Sequence, residues 1–359
     1  MRVVKTLFAA TVLVAAASAN ALQIDTVTDR LARPWSISLL NDQQAFVTEK
    51  EGSLQLVDLG NGSMREIDGM PEVFTESQAG LLGTVLHPDF ANNGWFYVSY
   101  VKPLGDDKTT TAVMRFTFDG EKITDRKAIF EAAIDSDNKG HFGSRMVFDN
   151  DGLLYISLGD RRNRPAVQDM TQHNGKLIRL NDDGSIPASN PFASGSSVEQ
   201  PIFSLGHRNV QGLAVRDDGS LWNSEHGPRG GDEINKLLPG ANYGWPVITF
   251  GKEYIGGDIG EGTHKEGMVQ PIHYYVPSIA TSDMVFYRGE EFPEWQGNLL
   301  LTSLAGSHLN RLVFSGDEVV EESRHLEALK ERLRDIALDS LGHIYLITDS
   351  GKLLRISKD

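Results

Sequence analysis

An apolar run, a turn of the D-x-x-G type and a second apolar run recur six times along the chain. RMVFDNDGLLYISLGD from Arg145, GLAVRDDGSLWNSEHG from Gly212 and RDIALDSLGHIYLITDSGKLLRI from Arg334 carry the pattern most plainly. Weaker copies are SISLLNDQQAFVTEKEGSLQLV from Ser36 and TVLHPDFANNGWFYVSYV from Thr84. The most divergent is MVFYRGEEFPEWQGNLLLTSL from Met284. Each copy reads as a β-hairpin. Asp, Asn and Gly permit the tight reversal, and the flanks are rich in Val, Ile, Leu, Phe and Tyr. The copies stand roughly 50 to 70 residues apart, longer than the ~40–45 of a common propeller blade. Repetition at this interval predicts an all-β chain: a six-bladed β-propeller of four-stranded antiparallel sheets. The extra length becomes loops, and in propellers such loops gather over the central channel. An elongated β-solenoid or a sandwich is the alternative, because the period is irregular. Helical periodicity is nearly absent; the candidate is the short segment Glu321–Arg332.

The N-terminus has a different character. Arg2 and Lys5 precede the apolar run Leu7–Ala17, and Ala19-x-Ala21 fits a signal-peptidase site. Residues 1–21 therefore read as a secretory signal, with residues 22–359 as one propeller domain. No later stretch approaches the ~18 apolar residues of a membrane-spanning helix. The expected product is soluble and periplasmic or otherwise exported. The chain has no cysteine, which excludes thiolate catalysis, iron–sulfur clusters, cysteine zinc sites and disulfides. With 49 acidic and 34 basic residues the net charge is −15. That argues against binding nucleic acid or anionic lipid through a general field. The acidic surplus also offers ligands for a hard cation such as calcium.

Four loop-like segments carry chemistry. DNKGHFGSRMVFD places His141 between glycines just before a strand, where imidazole suits a general base; loop histidines are also often structural. SLGHRNVQGLAV brings Arg208 and Asn209 together, a donor pair suited to an anionic, multi-carbonyl ligand or to capping a strand end. NSEHGPRGGDEINKLLPGANYGWP is the densest segment. Its Gly227-Pro228 and Gly230-Gly231 pairs force unusual backbone paths, and Asp232 and Glu233 add carboxylates. Calcium takes such mixtures of carbonyl and carboxylate oxygen, although a glycine-rich turn with solvated acids would look the same. LKERLRDIALD puts Arg332 and Arg334 two apart, on one face of a strand. Two such cations need an anion between them or a solvated edge. Gln78 and Tyr254 carry weaker signals. Trp245 and Trp295 read as core packing.

HFGSR, GxRNxQG, EHGPRGGDEIN, NYGWP and RxRD occur in that order, within a pattern running from Pro34-Trp35-Ser36 to the last strand. In this the chain resembles the soluble quinoprotein sugar dehydrogenases, the glucose/sorbosone dehydrogenase family, and most of all the periplasmic aldose sugar dehydrogenase branch. The resemblance implies oxidation of aldose sugars at the anomeric carbon to the lactone, dependent on pyrroloquinoline quinone (PQQ) and calcium. It implies His141 as the general base. It assigns cofactor binding to Gln78, Arg208, Asn209, Tyr254, Arg332 and Arg334. The carbonyls of Gly227 and Pro228 fall to a catalytic calcium, and Glu233 and Tyr243 to a second, structural one. A separate electron acceptor, of quinone or cytochrome type, is expected. The family contains both monomers and homodimers.

Position alone suggests that Asp160 orients His141. One departure stands out: family members carry a cofactor-contacting lysine where this chain has Ala305, with His308 as a possible substitute. Weaker PQQ affinity than in lysine-bearing relatives is the expectation. Two other functions fit such a propeller, a calcium-dependent lactonase-type hydrolase and a non-catalytic protein that binds a protein or glycan. The arginines discriminate, since a hydrolase would not need them.

Overall fold

A computed structural model describes residues 22–358; residues 1–21, where a secretory signal is expected, lie outside the described residues. The six hairpins are the first and second strands of six four-stranded antiparallel sheets. Blade one consists of Pro34–Asn41, Gln44–Glu49, Leu54–Asp58 and Met64–Glu66. Blades two to five cover 81–131, 143–205, 210–275 and 281–325. Blade six takes three strands from 333–358 and its outermost from the other end of the chain: Leu22–Thr28 pairs with Leu353–Lys358. The first strands of neighbouring blades touch from one to six and back to one. That closed ring excludes the solenoid and the sandwich. Among the described residues no helix is long and apolar enough to cross a membrane.

Alternation along the strands builds the core between blades. Between blades one and two, Phe46, Phe96 and Phe116 are fully buried, and Phe96 lies 4.8 Å from Phe46 and 5.1 Å from Phe116 between ring centroids. Each such side chain contributes ~1.5–3 kcal/mol through burial. In a chain without disulfides these inter-blade clusters carry the stability.

At the axis one side chain ties the ring together. Arg145, on the first strand of blade three, donates to Asp335 of blade six at 2.8 Å, Ser36 of blade one at 3.3 Å and the Gln211 carbonyl of blade four at 2.8 Å. Asp283 of blade five lies 3.3 Å from its Nε. Burial pushes the Asp283 carboxyl well above the usual carboxylate range; Arg145 opposes this and Asp335 reinforces it.

The segment Glu321–Arg332 is not a helix. Glu318–His325 is the outermost strand of blade five, followed by a single 3-10 turn at Glu327–Leu329. Pairing with Leu309–Ser315 decides this, because the neighbour's open edge supplies the backbone partners that a short isolated helix would lack.

Topology also dictates where a site forms. In an antiparallel sheet the start of the first strand and the end of the second lie at the same end of the blade. The connection leading into each blade therefore meets that blade's second-to-third-strand loop. Gln78, His141, Asn209 and Arg332 sit on the leading connections. Lys50, Asp160, Gly227, Ala305 and Asp349 sit on the second-to-third-strand loops. All nine face one end of the ring.

Candidate active site

A cavity of about 240 Å³ opens at that end, lined among others by Trp35, Lys50, Gln78, Phe142, Asn209, His226, Arg332 and Arg334. His141 is not among the lining residues but directly precedes Phe142 and Gly143, which are. Its backbone adopts a left-handed conformation, φ 54°, and its N–H donates to the Gln78 side-chain oxygen at 2.7 Å. The imidazole Nδ1 is 2.7 Å from Asp160 Oδ1. Asp160 is 1% exposed and also accepts from the Trp245 indole N–H at 2.9 Å and the Arg162 N–H at 2.7 Å. Burial opposes its ionisation, but the His141 hydrogen bond, the Arg208 charge and the Arg162 N–H hold its pKa below the usual range. An ionised Asp160 accepts the Nδ1 proton, so Nε2 of His141 carries the free lone pair. Burial pulls the His141 pKa below 6.5; Asp160 raises it, and Arg208 and Arg162 lower it. The imidazole is thus neutral and able to take a proton at neutral pH.

The loop after the second strand of blade three also holds His141 from behind. Gly159 packs against the His141 carbonyl so closely that a Cβ would collide with it. Arg161, 1% exposed and without an ion pair among the described residues, donates to the carbonyls of Asn138, Gly140 and Thr109 and lies over the Phe142 ring. Sequence reasoning passed over Arg161, and it assigned Trp245 to packing alone. The doublet following Asp160, Arg161-Arg162, was the available signal.

Across the cavity the chemistry changes. Arg332 and Arg334 do share a face, and the anion between them is the chain's own Asp349: its oxygens lie 2.7 Å from Arg332 Nε and 2.8 Å from an Arg334 amine. Lys50 lines the same wall and was missed, because a lysine between two glutamates looks like an ordinary solvated turn. Burial, with Arg33 and Arg334 nearby, lowers its pKa to about 8. Asp349 thus pairs with both arginines, and Lys50 adds a third cation to the wall.

The segment Glu225–Glu233 forms a second, smaller cavity of about 10 Å³, the room of one water or ion, lined by Arg208, Glu225, Gly227, Glu233, Tyr243 and Trp245 among others. Glu225 and Glu233 are register partners on adjacent strands. Glu225 is satisfied by His207 at 2.9 Å and the Arg208 N–H at 2.6 Å. Among the described residues Glu233 has only Asn235, at 3.4 Å. Asp232 is no free ligand: its carboxylate accepts from Gly227, Ser278, Ile279 and Ala280 and so shapes the loop. Gly227 must be glycine, since a Cβ would meet the carbonyls of Gly230 and Gly231. Its own carbonyl accepts from Arg208 at 2.8 Å. The carbonyls of Pro228 and Tyr243, both on buried residues, accept no hydrogen bond among the described residues. No cluster of three acidic or histidine side chains forms a metal cage among the described residues, so a cation here would draw on main-chain oxygen.

Gln78, Asn209, Arg332 and Arg334 therefore line the main cavity, while Arg208, Gly227, Glu233 and Tyr243 meet at the small one. Tyr254 joins neither; it is 68% exposed, next to Glu253, which pairs with Arg164 at 2.5 Å. Ala305 and His308 line an adjoining groove, and His308 is turned inward with Nδ1 2.8 Å from the Gly306 carbonyl.

Residues 31–355 match the model of the family described as Glucose / Sorbosone dehydrogenase. The aldose sugar dehydrogenase YliI of Escherichia coli is 39% identical over 344 residues, covering 94% of this chain and 93% of that protein. The crystal structure of the soluble aldose sugar dehydrogenase from Escherichia coli, in its apo form, superimposes with a TM-score of 0.91 at 38% identity, covering 94% of this chain and all of that one. The PQQ-bound aldose sugar dehydrogenase of Streptomyces coelicolor gives a TM-score of 0.78 at 26% identity, covering 95% of this chain and 99% of that one. The loop motifs, the closed ring and these matches agree: the chain is an oxidoreductase and belongs to the glucose/sorbosone dehydrogenase family.

Proposed function

We propose that this protein oxidises aldose sugars at the anomeric carbon to the lactone, using PQQ and calcium. The observation that carries the reading is a division at one end of the ring: the His141–Asp160 pair stands next to Phe142 and Gly143 of the cavity lining, and Lys50, Arg332 and Arg334 line the cavity with both arginines on one carboxylate. A polyanion fits the second wall, and PQQ is a tricarboxylate. Gln78, Asn209, Arg332 and Arg334 would hold it there. Arg208 would add charge from beside Asn209. Tyr254 would join only if its loop folded inward. Gly227 and Pro228 would offer carbonyl oxygen to the catalytic calcium; Glu233 and the Tyr243 carbonyl would hold the second ion. When bound, PQQ supplies the acceptor for the hydride leaving the anomeric carbon, and calcium supplies Lewis acidity.

The chain's own residues handle the proton. His141 Nε2 takes it from the anomeric hydroxyl while Asp160 fixes the tautomer and balances the imidazolium. Gln78 and Arg161 hold the backbone on which the imidazole rides. The sugar's two electrons leave to a separate carrier, and residues 1–21 direct export. Reconstitution tests the reading: purified protein with PQQ and calcium should reduce a dye when aldoses are added. Lactone hydrolysis without PQQ would overturn it.

A further inference from the structure

Lys50 follows the second strand of blade one, Gln44–Glu49, and its side chain reaches the cavity wall that holds Gln78, Arg332 and Arg334. Its ammonium donates to the Ser77 carbonyl at 2.7 Å and forms no ion pair among the described residues. The neighbouring Glu51 is taken by Arg33 at 2.5 Å. Asp349 is committed to both arginines. An ammonium has three donors, so two remain for a ligand.

The ring's repetition gives the position its meaning. The corresponding turn of blade five, after Leu299–Ser303, carries Leu304 and Ala305. Blades five and one flank blade six, which brings Arg332 and Arg334. Leu304 lines the cavity from the blade-five side and Lys50 from the blade-one side, so the two turns flank the same wall. We propose that Lys50 is a cofactor-binding residue, supplying from blade one the ammonium contact to a PQQ carboxylate that is missing at Ala305 in blade five. This rests on the reading of the cavity as a PQQ site. It also revises the expectation drawn from Ala305, because the cation count of the wall is kept while its place changes. A bound carboxylate would offset the burial and the Arg33 and Arg334 charges that weaken the ammonium in the free protein.

The test is equilibrium titration of the calcium-loaded protein with PQQ, followed by quenching of tryptophan fluorescence, since Trp35 lines the cavity. Lys50→Met and Lys50→Gln should each weaken binding about tenfold, with a shallower dependence on salt. Lys50→Arg should stay close to the parent. Ala305→Lys placed on Lys50→Met should recover part of the loss. The PQQ-free variants should keep the parent's melting temperature, which separates lost contact from lost fold. Binding by both neutral variants within twofold of the parent would overturn the role of Lys50 while leaving the PQQ reading intact. Failure of the unsubstituted protein to bind PQQ overturns that reading and the role of Lys50 with it.

Discussion

The two walls of the cavity are built on opposite plans. On the side of blades three and four, His141 and Trp245 both bond to Asp160, and Arg161 donates to the carbonyls of Asn138, Gly140 and Thr109 in other loops, so these donors have acceptors from the chain. On the side of blades six and one, Arg332 and Arg334 share the Asp349 carboxylate, and Lys50 adds a third cation that forms no ion pair among the described residues. The first wall is finished before any ligand arrives, so its geometry is fixed at the moment of reaction, as proton transfer requires. The second carries charge that the fold alone leaves uncompensated, so it favours a ligand over emptiness. On the proposed function, one wall would set rate and the other occupancy.

Substitutions should separate the two. The largest effect is expected at His141: His141→Ala should lower kcat on the order of a thousandfold, while the PQQ dissociation constant moves little. Equal losses in both would mean the walls are not independent. Asp160→Asn should lower kcat on the order of a hundredfold and change the pH profile. Wild-type activity should be flat near neutrality and fall only below pH 6.5, because the base must be neutral and its pKa is lowered. Asp160 raises that pKa, so its loss should move the acid limb to still lower pH as well as reducing the plateau. An unchanged turnover rate in Asp160→Asn would remove Asp160 from the mechanism.

Arg334→Met should do the reverse of His141→Ala. PQQ affinity should fall about tenfold or more, with kcat at saturating cofactor nearly kept. Apoprotein stability should change little, since Asp349 keeps its bond to Arg332. The smallest effect is expected at Glu233. Glu233→Gln should lower the melting temperature in calcium by roughly 2–4 °C, from a loss of ~1–2 kcal/mol, and chelation should abolish the difference. A larger loss of turnover than of stability would place the catalytic ion at Glu233, consistent with Gly227 and Glu233 lining one small cavity.

The first two strands of every blade were legible because each is a strong, local, alternating pattern around a turn. The outer strands were not. Met64–Glu66 is three residues long, and Glu318–His325 is mostly exposed and acidic, so neither carries a period that betrays a strand. In the site, His141, Asp160 and the arginine pair were readable because unusual residues cluster in glycine-rich or charge-dense loops. Arg161 and Trp245 were not, since their roles lie in bonds to loops far away in sequence.

Sequence alone determined the number of blades and the residue types on offer, both properties of short segments. Closure of the ring decided the rest. It brings Asp335 within 2.7 Å of the Ile37 N–H, across 298 residues, and sets Lys50 of blade one beside Arg334 of blade six. Which loops become neighbours depends on how six sheets divide a circle, and that angle is fixed by the packing between blades, which no local pattern records.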